Sequence, residues 1–288
     1  MHTRRTWITQ AAAGAALLSG TALKAQEYKF PNADIKLGIA SYSFIKFDRD
    51  KAIQMAKELG IQYLNIKDKH LALNSTPEQI DAAKKEFADA GITLVGCGNV
   101  TFDKDDEADI RGKFEYAKRA GFPLIVCAPT PEILPKMEKY VKEYDIKIAV
   151  HNHGPEDKYF QTPQSVLKAV KDLDPRCGLC MDIGHTSRTG TDIVESAAEA
   201  GPRLLDLHVK DLADPGNKDW KLARASQVAV GEGKLPIGRL FNQLIKQGYK
   251  GSVNLEYEIH QDDPLPGMKI SFAYMRGVLT GLQAARNA

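Results

Sequence analysis

The chain has 288 residues, 43% hydrophobic and 26% charged. That is an ordinary globular composition, with no fibrous or disordered bias, and enough length for one α/β barrel of about 250 residues. The formal net charge of +2 falls to −1 once Arg4, Arg5 and Lys24 leave with the leader described next. Such a balance lacks the basic footprint of counterion-driven nucleic-acid binding, so no nucleic-acid partner is expected.

Thr3-Arg4-Arg5-Thr6-Trp7-Ile8 is a twin-arginine pattern, and the mildly apolar stretch Ala11 to Leu23 follows it. Ala25 precedes polar Gln26-Glu27, which places cleavage after Ala25. Residues 1–25 therefore read as a twin-arginine signal peptide and 26–288 as the folded domain, exported to the periplasm. Thirteen mostly Ala/Gly residues are too few to cross a bilayer, so no stable membrane span is expected after removal.

From there strands and helices alternate. Strands are expected at Leu37–Phe44, Tyr63–Lys67, Thr93–Val100, Leu124–Ala128, Lys147–His151, Gly178–Ile183, Leu204–Val209 and Ser252–Tyr257. Helices are expected at Asp50–Leu59, Pro77–Ala90 (Thr76 as N-cap), Glu107–Ala120, Pro131–Tyr144, Pro163–Leu173, Asp192–Ala200, Ile237–Gln247 and Met268–Ala285. Gly60, Gly91, Gly121 and Gly248 each follow a helical pattern and precede an apolar run, the place for a left-handed helix end. Eight such units predict a closed (β/α)8 TIM barrel in a single domain. An open doubly wound sheet would carry a Gly-rich phosphate loop after an early strand, and Gly38-Ile39-Ala40-Ser41-Tyr42 is not one. Ala213–Pro236 is the longest irregular stretch, placed after the seventh strand.

Cys177-Gly-Leu-Cys180 has the spacing of a redox or zinc pair, but no second such pair exists. Cys97, Cys127 and Cys180 lie in apolar runs and read as small buried side chains.

The chemistry gathers at the ends of the last four strands. His151, Asp182, His208 and Glu256 each close an apolar run, and barrel enzymes place their active groups at strand C-termini. Two imidazoles and two carboxylates form a mixed N/O set suited to one divalent ion (Mn, Zn, Co or Mg) rather than Ca. Strand alternation puts His153 on the face of His151, Lys210 and Asp206 on that of His208, and Glu258 on that of Glu256. His153 thus competes with His151 as the fourth ligand. His185 follows Asp182 by three residues, as a substrate contact or a cap of the next helix. Lys210 suits an oxyanion, or else pairs with Asp206 or Asp211. Lys67 and His70, after the second strand, would line the mouth, with Tyr42 a candidate to stack on a sugar ring. Gly231-Glu232-Gly233 reads as a tight turn before the Ile237 helix.

At VHNHGPE (150–156), MDIGH (181–185), LHVKD (207–211), VGEG (230–233) and LEYE (255–258) the sequence resembles the xylose-isomerase-like TIM-barrel superfamily of sugar isomerases and epimerases. That group also includes inosose dehydratase and the endonuclease IV fold. The resemblance spans about residues 35–285 and implies one divalent ion on His151, Asp182, His208 and Glu256. In the keto-sugar epimerases of this superfamily the fifth strand ends in a glutamate that is both ligand and base. His151 stands there in this chain, so two-base epimerisation needs His153 or Glu156 as its second base. Endonuclease IV shares the Asp182/His185 spacing, but its further histidine ligands have no clear counterparts.

The expected reaction is proton abstraction beside the carbonyl of a small sugar or keto-sugar. Glu256 would be the base, His153 or His185 would move the second proton, Lys210 would steady the oxyanion, and Glu258 would contact substrate. Isomerisation or epimerisation leads. The alternatives are β-elimination, as on a 3-keto-glycoside, and a non-catalytic exported sugar-binding protein. A homodimer is compatible with either.

Overall fold

The structure is a computed structural model that describes residues 35–287; the expected signal peptide and its cleavage point lie outside the described residues. Eight parallel strands close a barrel: β1 (Lys36–Ala40), β2 (Tyr63–Ile66), β3 (Thr93–Phe102), β4 (Leu124–Pro129), β5 (Lys147–His151), β6 (Cys177–Asp182), β7 (Leu204–Val209) and β10 (Ser252–Leu255). β10 pairs with both β7 and β1 and so shuts the ring. A two-stranded antiparallel hairpin, β8 (Asp211–Leu212) with β9 (Gln227–Val228), stands outside it.

The helices between strands are α1 (Arg49–Glu58), α2 (Pro77–Asp89), α3 (Glu107–Ala120), α4 (Leu134–Tyr144), α5 (Pro163–Val170), α6 (Ile183–Arg188), α7 (Ile193–Ala200), α8 (Trp220–Ala225), α9 (Ile237–Lys246) and α10 (Leu265–Asn287). Their starts are written locally. Thr76 and Gln79 form a reciprocal capping box ahead of α2, and Asp106 accepts from the first backbone N–H groups of α3. At the other ends Gly60, Gly91, Gly121 and Gly248 all take left-handed φ values between +65° and +77°, as the helix-to-strand reading requires. α9 turns Ile237, Leu240, Phe241 and Leu244 inward, an i, i+3, i+4, i+7 stripe that joins the hydrophobic core. Among the described residues no helix is long and apolar enough to cross a membrane.

Four expectations need correction. β1 ends at Ala40, and Ser41–Phe44 is a 3-10 turn because the Ser43 hydroxyl accepts from Tyr257 N (2.9 Å) and donates to Leu255 O (3.3 Å), tying the rim to β10. β10 itself stops at Leu255, so Glu256 and Tyr257 lie just past the ladder, although Glu256 N still donates to Val209 O at 2.9 Å. Ala213–Pro236 is not wholly irregular, since it holds α8 and β9 between turns. α6 was also not expected, because six residues are too few to show a helical period. All four cysteines are free and buried, Cys177 included.

Candidate metal centre

β5, β6, β7 and β10 are consecutive around the ring, and each delivers one polar side chain to its upper end. Asp182 lies opposite His208 in the β6–β7 register, and His208 lies opposite Asn254, two residues before Glu256. One ligand atom from each of His151, Asp182, His208 and Glu256 falls within 4.8 Å of the others. The first three are almost fully buried, and Glu256 is partly so.

These donors fit a cation on their own evidence. Buried polar atoms are normally hydrogen-bonded, yet His151 Nδ1, Asp182 Oδ2 and both ring nitrogens of His208 have no aligned hydrogen-bond partner. Ionic contacts surround them: Asp182 Oδ2 lies 3.0 Å from Lys210 Nζ and 3.7 Å from His151 Nε2, and His208 Nδ1 lies 3.3 Å from Glu256 Oε2. One nitrogen of each imidazole with the carboxylate oxygens makes a mixed N/O set around one point, which a divalent ion would take up.

Lys210 completes the charge pattern. Its ammonium is 3.0 Å from Asp182 Oδ2, 2.9 Å from Glu256 Oε2 and 2.6 Å from Glu258 Oε2, in a side chain only 5% exposed. Burial pulls the Lys210 pKa down, but the three carboxylates more than reverse it, so the group stays charged. Burial likewise opposes ionisation of Asp182 and Glu256. Lys210 outweighs it, with His185 helping at Asp182 and His208 at Glu256, and both carboxyls sit well below the usual carboxylate range. The expected fallback pairing of Lys210 with Asp206 or Asp211 is not seen. Asp211 instead accepts from the backbone of Leu212, Gly231, Gly233 and Leu235, pinning the turn that precedes α9.

A second ring of imidazoles borders the donors. His153 has its ring centroid 5.4 Å from that of His151 and 4.3 Å from that of His185. Burial, then the nearby His151, lowers its pKa, which leaves it neutral near pH 7. His185 lies inside α6, with its N–H on the Asp182 carboxylate at 2.8 Å, so Asp182 caps that helix. The His185 pKa is lowered by burial. Its Nδ1 meets the Arg188 guanidinium, which also clasps Glu156 through two bonds of 2.9 and 2.7 Å.

Other expected residues have different partners. Glu258 joins the cluster through Lys210. Lys67 Nζ donates to Asn99 O at 3.1 Å and lines a separate cavity of about 390 Å³ beside β2, β3 and α3, which none of the four donors lines. His70 is buried, with Nδ1 2.9 Å from Ser41 Oγ. Tyr42 is half-buried on the turn after β1. Arg188 was missed. A polar residue three positions after His185 is a usable signal only once α6 is known.

The sequence pattern of the xylose isomerase-like TIM barrel family matches residues 53–278. An inosose dehydratase of Mesomycoplasma hyopneumoniae (strain 7448) is 25% identical over 160 residues, 51% of this chain and 53% of that protein. The chain spans about half the length of the curated relatives it matches. Two solved structures share the fold. The IolI protein with a bound zinc atom has a TM-score of 0.68 at 18% identity, covering 84% of this chain and 98% of that one. D-psicose 3-epimerase with D-tagatose, from Clostridium cellulolyticum H10, has a TM-score of 0.68 at 17% identity, covering 85% and 99%. With its barrel, its strand-end donors and a match that runs from α1 into α10, the chain belongs to the xylose isomerase-like TIM barrel family.

Proposed function

We propose that this protein is a divalent-metal-dependent sugar isomerase or epimerase, working by proton removal beside the carbonyl of an uncharged sugar or keto-sugar. The observation that carries the reading is the meeting of His151, Asp182, His208 and Glu256 around one point with orphaned donor atoms. An ion held there would supply Lewis acidity toward a carbonyl and its neighbouring hydroxyl. The remaining roles fall to side chains of this chain. Glu256, ionised at neutral pH, removes the proton. Lys210 offsets the negative charge that develops on the substrate oxygens. His153, neutral and three strands away around the ring from Glu256, carries the second proton, and His185 contacts substrate.

Charge supports an unphosphorylated substrate. Lys210, in the cluster, and Arg188, beside His185, are already paired, with Asp182, Glu256 and Glu258 and with Glu156 respectively. An anionic substrate group would have to displace those carboxylates.

One observation favours a second reading. His151 lies in the donor cluster where a two-base epimerase carries a carboxylate, which leaves β-elimination from a 3-keto-glycoside or related keto-sugar as the competing outcome. We also assign residues 1–25 to a twin-arginine export signal and 26–288 to a periplasmic enzyme, on the Arg4-Arg5 pattern. Metal analysis of the purified protein is expected to find about one ion per chain, and Asp182→Ala to remove it. Incubation with keto-sugars and a 3-keto-glycoside in deuterated water then separates the outcomes. Deuterium at the carbon beside the carbonyl without aglycone release supports isomerisation, and release supports elimination. Sugar binding by a metal-free protein, with neither uptake nor release, would replace the enzyme by a binding protein.

A further inference from the structure

Asp206 has no role in the reading above, yet it is wholly buried beneath the donors. It sits two residues before His208 on β7, so both side chains share one strand face. Its Oδ1 accepts from Ser252 Oγ at 2.9 Å and from Asn254 Nδ2 at 2.8 Å, while Oδ2 accepts from Asn65 Nδ2 at 3.4 Å and lies 3.7 Å from Cys180 Sγ. Four neutral donors occupy the lone pairs without supplying an opposite charge. Burying a carboxyl group among neutral donors alone is unfavourable unless a further partner stands nearby.

The neighbour that can answer it is His208, whose Nε2 lies 3.5 Å from Asp206 Oδ2. The other ring nitrogen, Nδ1, faces Glu256 Oε2 at 3.3 Å, on the side of the four donors. A ligating histidine commonly donates its second ring N–H to a carboxylate, which fixes its tautomer and raises its basicity. From this juxtaposition we infer that Asp206 is a positioning residue. It takes the Nε2–H of His208 and so leaves the Nδ1 lone pair for the ion. The inference rests on the metal reading above and adds which nitrogen binds and what orients it. A rival arrangement exists in the same place, because Cys180, His151 and His208 also bring donor atoms within 4.8 Å of one another, in a deeper, sulfur-containing set.

The test is zinc titration of protein carrying 15N-labelled histidine, followed through the ring nitrogens by NMR. On zinc binding, His208 is expected to stay protonated at Nε2 while Nδ1 shifts. Asp206→Asn is expected to weaken zinc affinity about 10- to 100-fold, in addition to the fall in melting temperature of the metal-free protein that an amide NH2 facing buried donors brings. A purely structural role would lower the melting temperature and leave zinc affinity unchanged. Zinc on Nε2 of His208, or unchanged zinc affinity in Asp206→Asn, overturns the inference. So does a thiolate charge-transfer band in the cobalt-loaded protein that disappears in Cys180→Ser. If Asp206→Asn does not fold, the wild-type spectrum alone decides. Histidine signals that ignore zinc altogether would sink the metal reading as well, an outcome distinct from zinc bound through the wrong nitrogen.

Discussion

Replacing Lys210 by Met tests the charge balance of the centre directly. Met nearly keeps the side-chain length and removes only the ammonium, which lies 2.6 to 3.0 Å from three carboxylates. Asp182 is wholly buried and Glu256 largely so, hence both would face each other in a low-dielectric site without a counter-charge. Breaking a buried ion pair by deleting one partner costs about 3–5 kcal/mol. For a domain of this size each kcal/mol moves the melting temperature by about 2–4 °C, so a fall on the order of 10 °C is expected in chelator-treated protein. Zinc at about 100 times its Kd stabilises by about 2.7 kcal/mol at equal affinity. The variant, lacking the competing ammonium, should bind zinc more tightly and show the larger zinc-induced shift. The gap from wild type should also narrow toward pH 5, where the freed carboxylates can take up a proton instead. Scanning fluorimetry with and without zinc reads all three effects. A variant that melts within about 2 °C of wild type without metal, or that gains no more from zinc, would refute the reasoning.

Burial lowers the His70 pKa to about 4 from an ordinary 6.5. The unfolded chain therefore takes up a proton before the folded one does, and stability present above pH 6.5 is lost as pH falls toward 4, by about 3 kcal/mol. Urea melts across that range should show the decline, and His70→Gln should flatten it. Gly178→Ala would set a Cβ 2.3 Å from Arg203 O and 2.7 Å from the Leu205 side chain. Overpacking of this kind costs about 1–3 kcal/mol, and calorimetry should find the loss. Asp211→Ala strands four backbone N–H groups. At about 1–3 kcal/mol for an orphaned donor, hydrogen exchange at Gly231, Gly233 and Leu235 should accelerate by at least about tenfold. Unchanged protection there would show that the turn holds itself.

The barrel was legible because its signals are local and repeated. The Gly60, Gly91, Gly121 and Gly248 helix ends and the Thr76 cap depend on their immediate neighbours alone, and all stand where the pattern put them. The four donors were legible because a polar residue ending an apolar run is conspicuous, and topology then brings consecutive strand ends together. What stayed hidden depends on contacts between distant residues. Nothing in the sequence near Lys210 says that Glu258, 48 positions on, accepts a hydrogen bond from its ammonium. Arg188 looks like an ordinary surface residue until α6 turns it onto Glu156. Ser43 ends β1 early by bonding across more than 200 positions to Leu255 and Tyr257, which no window along the chain can reveal.

All four donors stand on β5, β6 and β7 or just past the end of β10, a single arc of the ring, while β1 to β4 contribute none. The barrel is thus divided by labour as well as by sequence, with seams at the β4–β5 and β10–β1 pairings. On the arc from β5 to β10, an exchange of any of the four donors would disturb the charge balance of the cluster. The arc from β1 to β4, with its own cavity beside β2 and β3, is free to vary in shape without touching a donor. A chimaera joined at the two seams would therefore take its donor cluster whole from one parent and the cavity beside β2 and β3 whole from the other.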